Sequence, residues 1–192
     1  SGATRLIAYA EPVRQDMKRF APQFVDKARI VTPISHIPEH VYEVDPARVA
    51  RTYHLPERFL YVPNQFWQHK NHMRLLEALK VLDERGVEPF VVMTGLFHDH
   101  RAPDYTAKLL QKISEFDLRD TIAILGLVPR EHVYALMRQA IAVVNPSLFE
   151  GYGLTVAEAR WLGKRALLSD IPAHRVQNPP CAIYFCLLYT SP

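Results

Sequence analysis

Cysteine is nearly absent: the 192 residues include two, Cys181 and Cys186, close together near the C-terminus. Two thiols cannot build a disulfide framework, and their spacing is not that of a zinc site. Long apolar runs are missing as well. None approaches the ~20 residues a membrane-spanning helix needs, and no charged segment followed by an apolar one opens the chain as a secretory leader would. Charge is nearly balanced, with 23 Lys and Arg against 20 Asp and Glu and a net +3, so composition does not indicate a nucleic-acid partner. No G-x-G-x-x-G turn follows the first strand of the main pattern, which counts against a dinucleotide-dependent oxidoreductase. What remains is ordinary for a globular protein, with 48% apolar residues and enough length for one domain or one and a half. A soluble, cytoplasmic protein is the expectation.

The apolar residues fall into an alternating order. Residues 59–63, 90–94, 121–125, 141–144 and 165–169 read as short buried strands. Between them, residues 72–85 (stopping at Gly86), 103–117 (opening with Pro103), 130–140 and 154–162 have helical spacing. Strands alternating with helices of this length pair in parallel through crossover helices, so the predicted class is α/β with a doubly wound, Rossmann-like parallel sheet. Ahead of this lie a strand candidate at 5–10 and a helix from Pro12 to about Phe20. Residues 28–46 follow, where Pro33, Pro38 and Pro46 are interspersed with His36 and His40. That stretch reads as a connection rather than a packed element.

Ligands in doubly wound sheets bind beyond the carboxyl ends of the strands, so the loops that follow strands carry the chemistry. In NPSLFEGYGLTVAEAR (residues 145–160) a strand ends, a glycine-bearing turn follows and a helix begins. Helix N-termini expose unpaired N–H groups carrying roughly half a positive charge, which suits a phosphate. Gly151 and Gly153 let the backbone approach such a ligand. Glu150 and Glu158 flank this turn. Carboxylates there can accept vicinal hydroxyls of a sugar or ribose; equally, Thr155 and Glu158 fit a capping box while Glu150 is a solvated loop acid.

Three further loops follow strands. In PNQFWQHKNH (residues 63–72), Lys70 stands before a helix expected to be capped by Asn71, where an ammonium and a helix end neutralise a diphosphate together, unless Lys70 is merely solvated. Phe66 and Trp67 wall that loop or simply pack. In TGLFHDHRAPDY (residues 94–105), Gly95 fits a tight turn beside a ligand. His98, Asp99 and His100 are adjacent loop residues that do not converge easily on one ion, and no D-x-D pair is present to hold a divalent cation against a diphosphate; no metal is expected. In GLVPRE (residues 126–131), Leu127 and Val128 precede a helix opened by Pro129.

The stretch at 145–160 closely resembles the donor-binding motif of the retaining glycosyltransferases of family 4, which have the two-domain GT-B fold and use nucleotide sugars. The resemblance continues through YVPNQFWQHKNHMRLLEAL (61–79), LGLVPREHVYALMRQA (125–140) and LLSDIPAHR (167–175), and covers about residues 59–185. It implies a nucleotide-diphosphate sugar as substrate, with no other cofactor and no metal. Glu150 and Lys70 become the catalytic candidates. Donor binding falls to Glu158, to Gly151, Tyr152, Gly153 and Leu154, to Asn64, Gln65 and Gly95, and to the main chain of Leu127 and Val128. Many family members carry an arginine a few residues before the lysine, where this chain has Asn64 and Gln65; Lys70 is then the main cation, helped by Arg74 or backbone amides.

The resemblance further implies that residues 1–45 close an N-terminal acceptor domain and cross from it, and that 46–185 form an incomplete donor domain. The acceptor is left open by the resemblance, a glycan or a lipid-linked glycan being compatible with it, in polysaccharide biosynthesis, with at most peripheral attachment to the inner face of the membrane. A non-catalytic nucleotide-sugar-binding module is the alternative. The terminal CLLYTSP (186–192) reads as the translation of a transposon-derived sequencing adapter, which would make Cys186 no biological thiol, with a genuine short apolar terminus as the alternative.

Overall fold

A computed structural model describes residues 2–187. It opens with β1 (Leu6–Ala8), α1 (Glu11–Phe20) and β2 (Ala28–Ile30), then α2 (Pro46–Thr52). The alternating section follows as β3 (Leu60–Pro63), α3 (His72–Asp83), β4 (Val91–Thr94), α4 (Tyr105–Glu115), β5 (Ile122–Gly126), α5 (Arg130–Gln139) and β6 (Ala142–Asn145). It ends with α6 (Leu154–Trp161), β7 (Ala166–Ser169), α7 (Pro172–Gln177) and β8 (Ala182–Phe185).

Six strands form one sheet in the order β5-β4-β3-β6-β7-β8, every neighbouring pair parallel. Every residue of β4 and β6 is buried, as strands covered on both faces must be. Successive side chains alternate between the faces. Tyr61 packs with Phe59, Leu136, Met137 and Val143 on one side. Val62 packs with Leu76, Met93, Leu109 and Val144 on the other. The chain leaves β3 in one direction for β4 and β5, and returns to the opposite side of β3 for β6, β7 and β8. The loops after β3 and β6 therefore diverge from adjacent strand ends, at the switch point where such sheets bind ligands.

The first two strands stand apart as a parallel pair, Leu6 beside Ala28. This small unit lies over the carboxyl edge of the main sheet: Tyr9 and Gly151 line one cleft, and α1 packs against α7.

Residues 28–46 depart from the expected loose connection. They begin with β2, and a 3-10 turn at Glu39–Glu43 seats Val41 in the core together with Ile37. The prolines remove backbone donors, yet the carbonyls left over are captured: Arg138 of α5 donates to the carbonyl oxygens of Val41 at 2.9 Å and Val44 at 2.8 Å. Helix α2, capped by Asp45 accepting the Ala47 N–H at 3.0 Å, then packs on α5. Helix α7 and strand β8 complete the sheet beyond the last strand expected. Most of the 186–192 tail, residues 188–192, lies outside the described residues.

Within the core, His72 is fully buried, stacked on Phe66 at 4.7 Å and near the Tyr105 ring, with neither ring nitrogen hydrogen-bonded among the described residues. Burial, with Lys70 nearby, pushes its pKa down to about 3. The unfolded chain takes up this proton near the ordinary histidine value, and the folded chain does so only near the depressed one. Stability should therefore be lost as pH falls through that window. The expected slope from this group is up to about 1.4 kcal/mol per pH unit. Urea unfolding between about pH 7 and about pH 4 should show a shallower decline for His72→Phe than for the wild type; equal slopes would refute the assignment.

Candidate functional site

Three side chains fix the loop after β3. Asp99, buried, accepts the Gln68 N–H at 2.9 Å and the Arg101 N–H at 3.0 Å. The Gln68 hydrogen bond, with Arg101, outweighs desolvation and holds its carboxyl below the ordinary value. Asp99 thus pins the short 3-10 turn Gln68–Lys70 that carries the lysine, while His98 and His100 point outward. Asn64 and Gln65 also fasten loops. The Asn64 amide contacts Asn145 at 3.4 Å and accepts from Thr155 at 3.2 Å; the Gln65 oxygen accepts from Leu96 N–H. Gly95, at φ +147°, leaves no room for a Cβ, which would overlap the Asn64 carbonyl. The missing side chain permits this close approach.

Asn71 does not cap α3. Its backbone is left-handed (φ +58°), which turns the side chain away from the helix, and its amide donates to the Pro146 carbonyl at 3.2 Å. That bond ties the loop after β3 to the loop after β6. Two more bonds secure the second loop: Leu148 N–H to the His69 carbonyl at 2.8 Å, and Ser169 Oγ to the Ser147 carbonyl at 2.6 Å.

The stitched loops bring Lys70 and Glu150 together across the switch point. Lys70 Nζ lies 2.7 Å from Glu150 Oε1, with the side chains only 13% and 9% exposed. Ser147 Oγ is 2.7 Å from the same oxygen. Desolvation alone would raise the Glu150 pKa, but Lys70 and Ser147 outweigh it and hold the carboxyl below its ordinary value. Glu150 is ionised in a nearly dry place.

Glu158 is held separately. Its Oε1 takes a hydrogen bond from the Arg130 guanidinium, which also donates to Tyr134 Oη at 3.0 Å and lies over the Tyr134 ring. Burial raises the Glu158 pKa, and Arg130 only partly offsets this. The capping box is not formed: Gly153 occupies the N-cap of α6 with a left-handed backbone, and no side chain caps the helix. Arg130 opens α5 just past Leu127 and Val128, whose main-chain groups make no hydrogen bond among the described residues. Arg74 is engaged with Glu77 at 2.7 Å on the surface of α3.

Above the Lys70–Glu150 pair lies a cleft of about 550 Å³. Ile7, Tyr9, Val31 and Pro33 form its roof, and Lys70, Glu150 and the turn through Gly151, Tyr152, Gly153, Leu154 and Thr155 form its floor. One ammonium and the uncapped end of α6 face one space, which suits an anionic group. Among the described residues no cluster of His, Cys, Asp or Glu could hold a metal ion, and no helix is long and apolar enough to cross a membrane. Arg130 and Asp99 give no signal of these roles in the sequence, because Glu158 and the Gln68 amide are brought close to them only by the fold; Ser147 lies three residues from Glu150 within the motif, and the sequence reading passes over it.

Residues 49–179 match the family described as Glycosyl transferases group 1. Among curated relatives, the chain is 27% identical over 116 residues to the O-antigen chain mannosyltransferase RfbU of Salmonella typhimurium, covering 60% of this chain and 31% of that protein. It is 32% identical over 104 residues to a trehalose synthase of Pyrococcus horikoshii, covering 53% and 25%. The fold is shared with Anabaena Alr3699/HepE, solved with UDP and glucose, at TM-score 0.77 and 16% identity, over 96% of this chain and 50% of that one. It is shared equally with sucrose-phosphate synthase from Thermosynechococcus elongatus, at TM-score 0.78 and 16% identity, over 96% and 46%. This chain thus spans a third or less of the curated relatives and about half of the solved structures.

The buried pair makes a stability prediction. Lys70→Met leaves Glu150 ionised without its cation and should destabilise the chain by about 3 kcal/mol. Adding Glu150→Gln should recover most of that loss. Chemical denaturation of the two variants measures both, and a single variant as stable as the wild type would disprove the coupling.

Proposed function

We propose, because this chain belongs to the glycosyl transferases group 1 family, that it is the donor-binding half of a two-domain GT-B glycosyltransferase of family 4. In this reading a nucleotide-diphosphate sugar lies across the carboxyl ends of β3 and β6, for transfer of its sugar to an acceptor hydroxyl with retention of configuration. The observation that carries the reading is the Lys70–Glu150 pair, 2.7 Å apart and buried beneath an uncapped helix end.

An ammonium has three donors, and Glu150 takes one. The others are free for the diphosphate, where charge builds as the glycosidic bond breaks. Glu150 offers its second oxygen, unpartnered among the described residues, to a hydroxyl of the sugar ring. Glu158 does the same for the ribose, its first oxygen being held by Arg130. The base lies against the main chain of Leu127 and Val128. The cationic work is assigned to Lys70 and the α6 terminus, without a metal. The likeness to HepE, solved with UDP and glucose, supports a nucleotide sugar as the ligand class. A glycan, free or lipid-linked, is the acceptor we assign, held by the part of the relatives' length that this chain does not span; transfer requires that part.

Calorimetric titration with a panel of nucleoside diphosphates tests the donor site. One nucleotide should bind without added metal, and Glu158→Ala and Lys70→Ala should each weaken it by about tenfold or more. A folded wild-type chain that binds no member of the panel rules the site out.

A further inference from the structure

We propose that Gln177, the last residue of α7, is the positioning residue for the donor's diphosphate, acting through the peptide planes of the glycine turn. This rests on the donor-site reading above and deepens it. The Gln177 side chain is buried at 4% exposure. Its amide nitrogen donates to two successive carbonyls, Tyr152 O and, at 3.1 Å, Gly153 O.

In a trans peptide the N–H points opposite to the C=O, and the described chain has no cis peptide bond. The Gly153 carbonyl also accepts the Val156 N–H at 3.0 Å and the Ala157 N–H at 3.3 Å, so the first turn of α6 shares in setting that peptide. Among the described residues Gln177 alone holds the Tyr152 carbonyl; with both carbonyls so held, the N–H groups of Gly153 and Leu154 turn the other way. Gly153 and Leu154 both line the cleft floored by Lys70 and Glu150. Neither N–H makes a hydrogen bond among the described residues. Two successive amides, the end of α6 and the Lys70 ammonium form a concave seat for an anion.

Two further observations support the assignment. Gly153 sits at φ +86°, and a Cβ there would press on the Gln177 nitrogen at 3.3 Å and on His174 at 3.6 Å. His174 is fully buried behind the turn and held by the Ser169 carbonyl, 2.9 Å from its Nδ1. The turn therefore rests on a rigid seat built from α7. The Gln177 oxygen, by contrast, is buried with no partner among the described residues. An orphan acceptor is unfavourable for stability. A glutamine in this place serves its donor end.

The test compares the diphosphate that binds best in the panel with its monophosphate, by calorimetry on the wild type, Gln177→Met and Gln177→Glu. Both variants keep the length of the side chain and lose its donor. The wild type should prefer the diphosphate by about tenfold or more, and the variants should lose most of that preference while holding the monophosphate within about twofold. Variants that keep the wild-type preference, or that weaken both ligands equally, overturn the proposal. A wild-type chain that binds neither nucleotide overturns the donor site and this inference with it. Should the variants not fold, glycine-selective 15N labelling of the wild type decides. The Gly153 amide must shift further with diphosphate than with monophosphate, and equal shifts refute the role.

Discussion

The reversal of strand order at β3 and β6 is the constraint on which the rest depends. Two adjacent parallel strands whose crossovers leave in opposite directions cannot have their following loops covered by the same helix, so a crevice opens between them. Into it the chain puts the two segments that would otherwise never meet, residues 64–71 and 146–153. The stitching bonds, Asn71 to Pro146 and Leu148 to His69, close the crevice at its base and leave it open at the top. The burial of β4 and β6 on both faces holds the strand ends at fixed separation, so the loops inherit a rigid floor.

Electrostatics then sets the character of the crevice. Both motif glutamates are nearly dry, and each gives one oxygen to a cation while the other is unpartnered among the described residues. The two differ in sign of perturbation: Lys70 and Ser147 overcome burial at Glu150, whereas burial prevails over Arg130 at Glu158. Arg130 is itself largely exposed, with a side chain 61% accessible, so water screens its help. One acid is held charged and the other is pushed toward its neutral form, although each accepts a hydrogen bond from a cation.

Much of this was legible in the chain before folding. Apolar periodicity marked the strands from β3 to β7 and the helices between them, and the loop after each strand was where the chemistry belonged. Lys70 and Glu150 were read from separate loops and meet. The segment 28–46 misled because prolines signal a lack of donors, not a lack of packing; Ile37 and Val41 bury their side chains while Arg138 supplies the missing donors. Asp45 before Pro46, and Pro172, were start signals of α2 and α7 hidden inside stretches too short to show a period. Arg130, 28 residues from Glu158 in sequence, has no local pattern to betray it, and neither has Asp99, whose neighbouring histidines drew attention to metals instead of to the Gln68 amide.

The Arg138 clasp on Val41 and Val44, with α2 packed on α5, makes the connecting segment part of the sheet's own body from Ile37 onward. The β1–β2 unit roofs the cleft and meets that body through the α1–α7 contact as well as through the extended stretch 31–36 around Pro33. Val31 and Pro33 of that stretch line the cleft themselves. The width of the cleft is therefore set by the same backbone that ties roof to floor, and a proline in it narrows the arc through which that width can change.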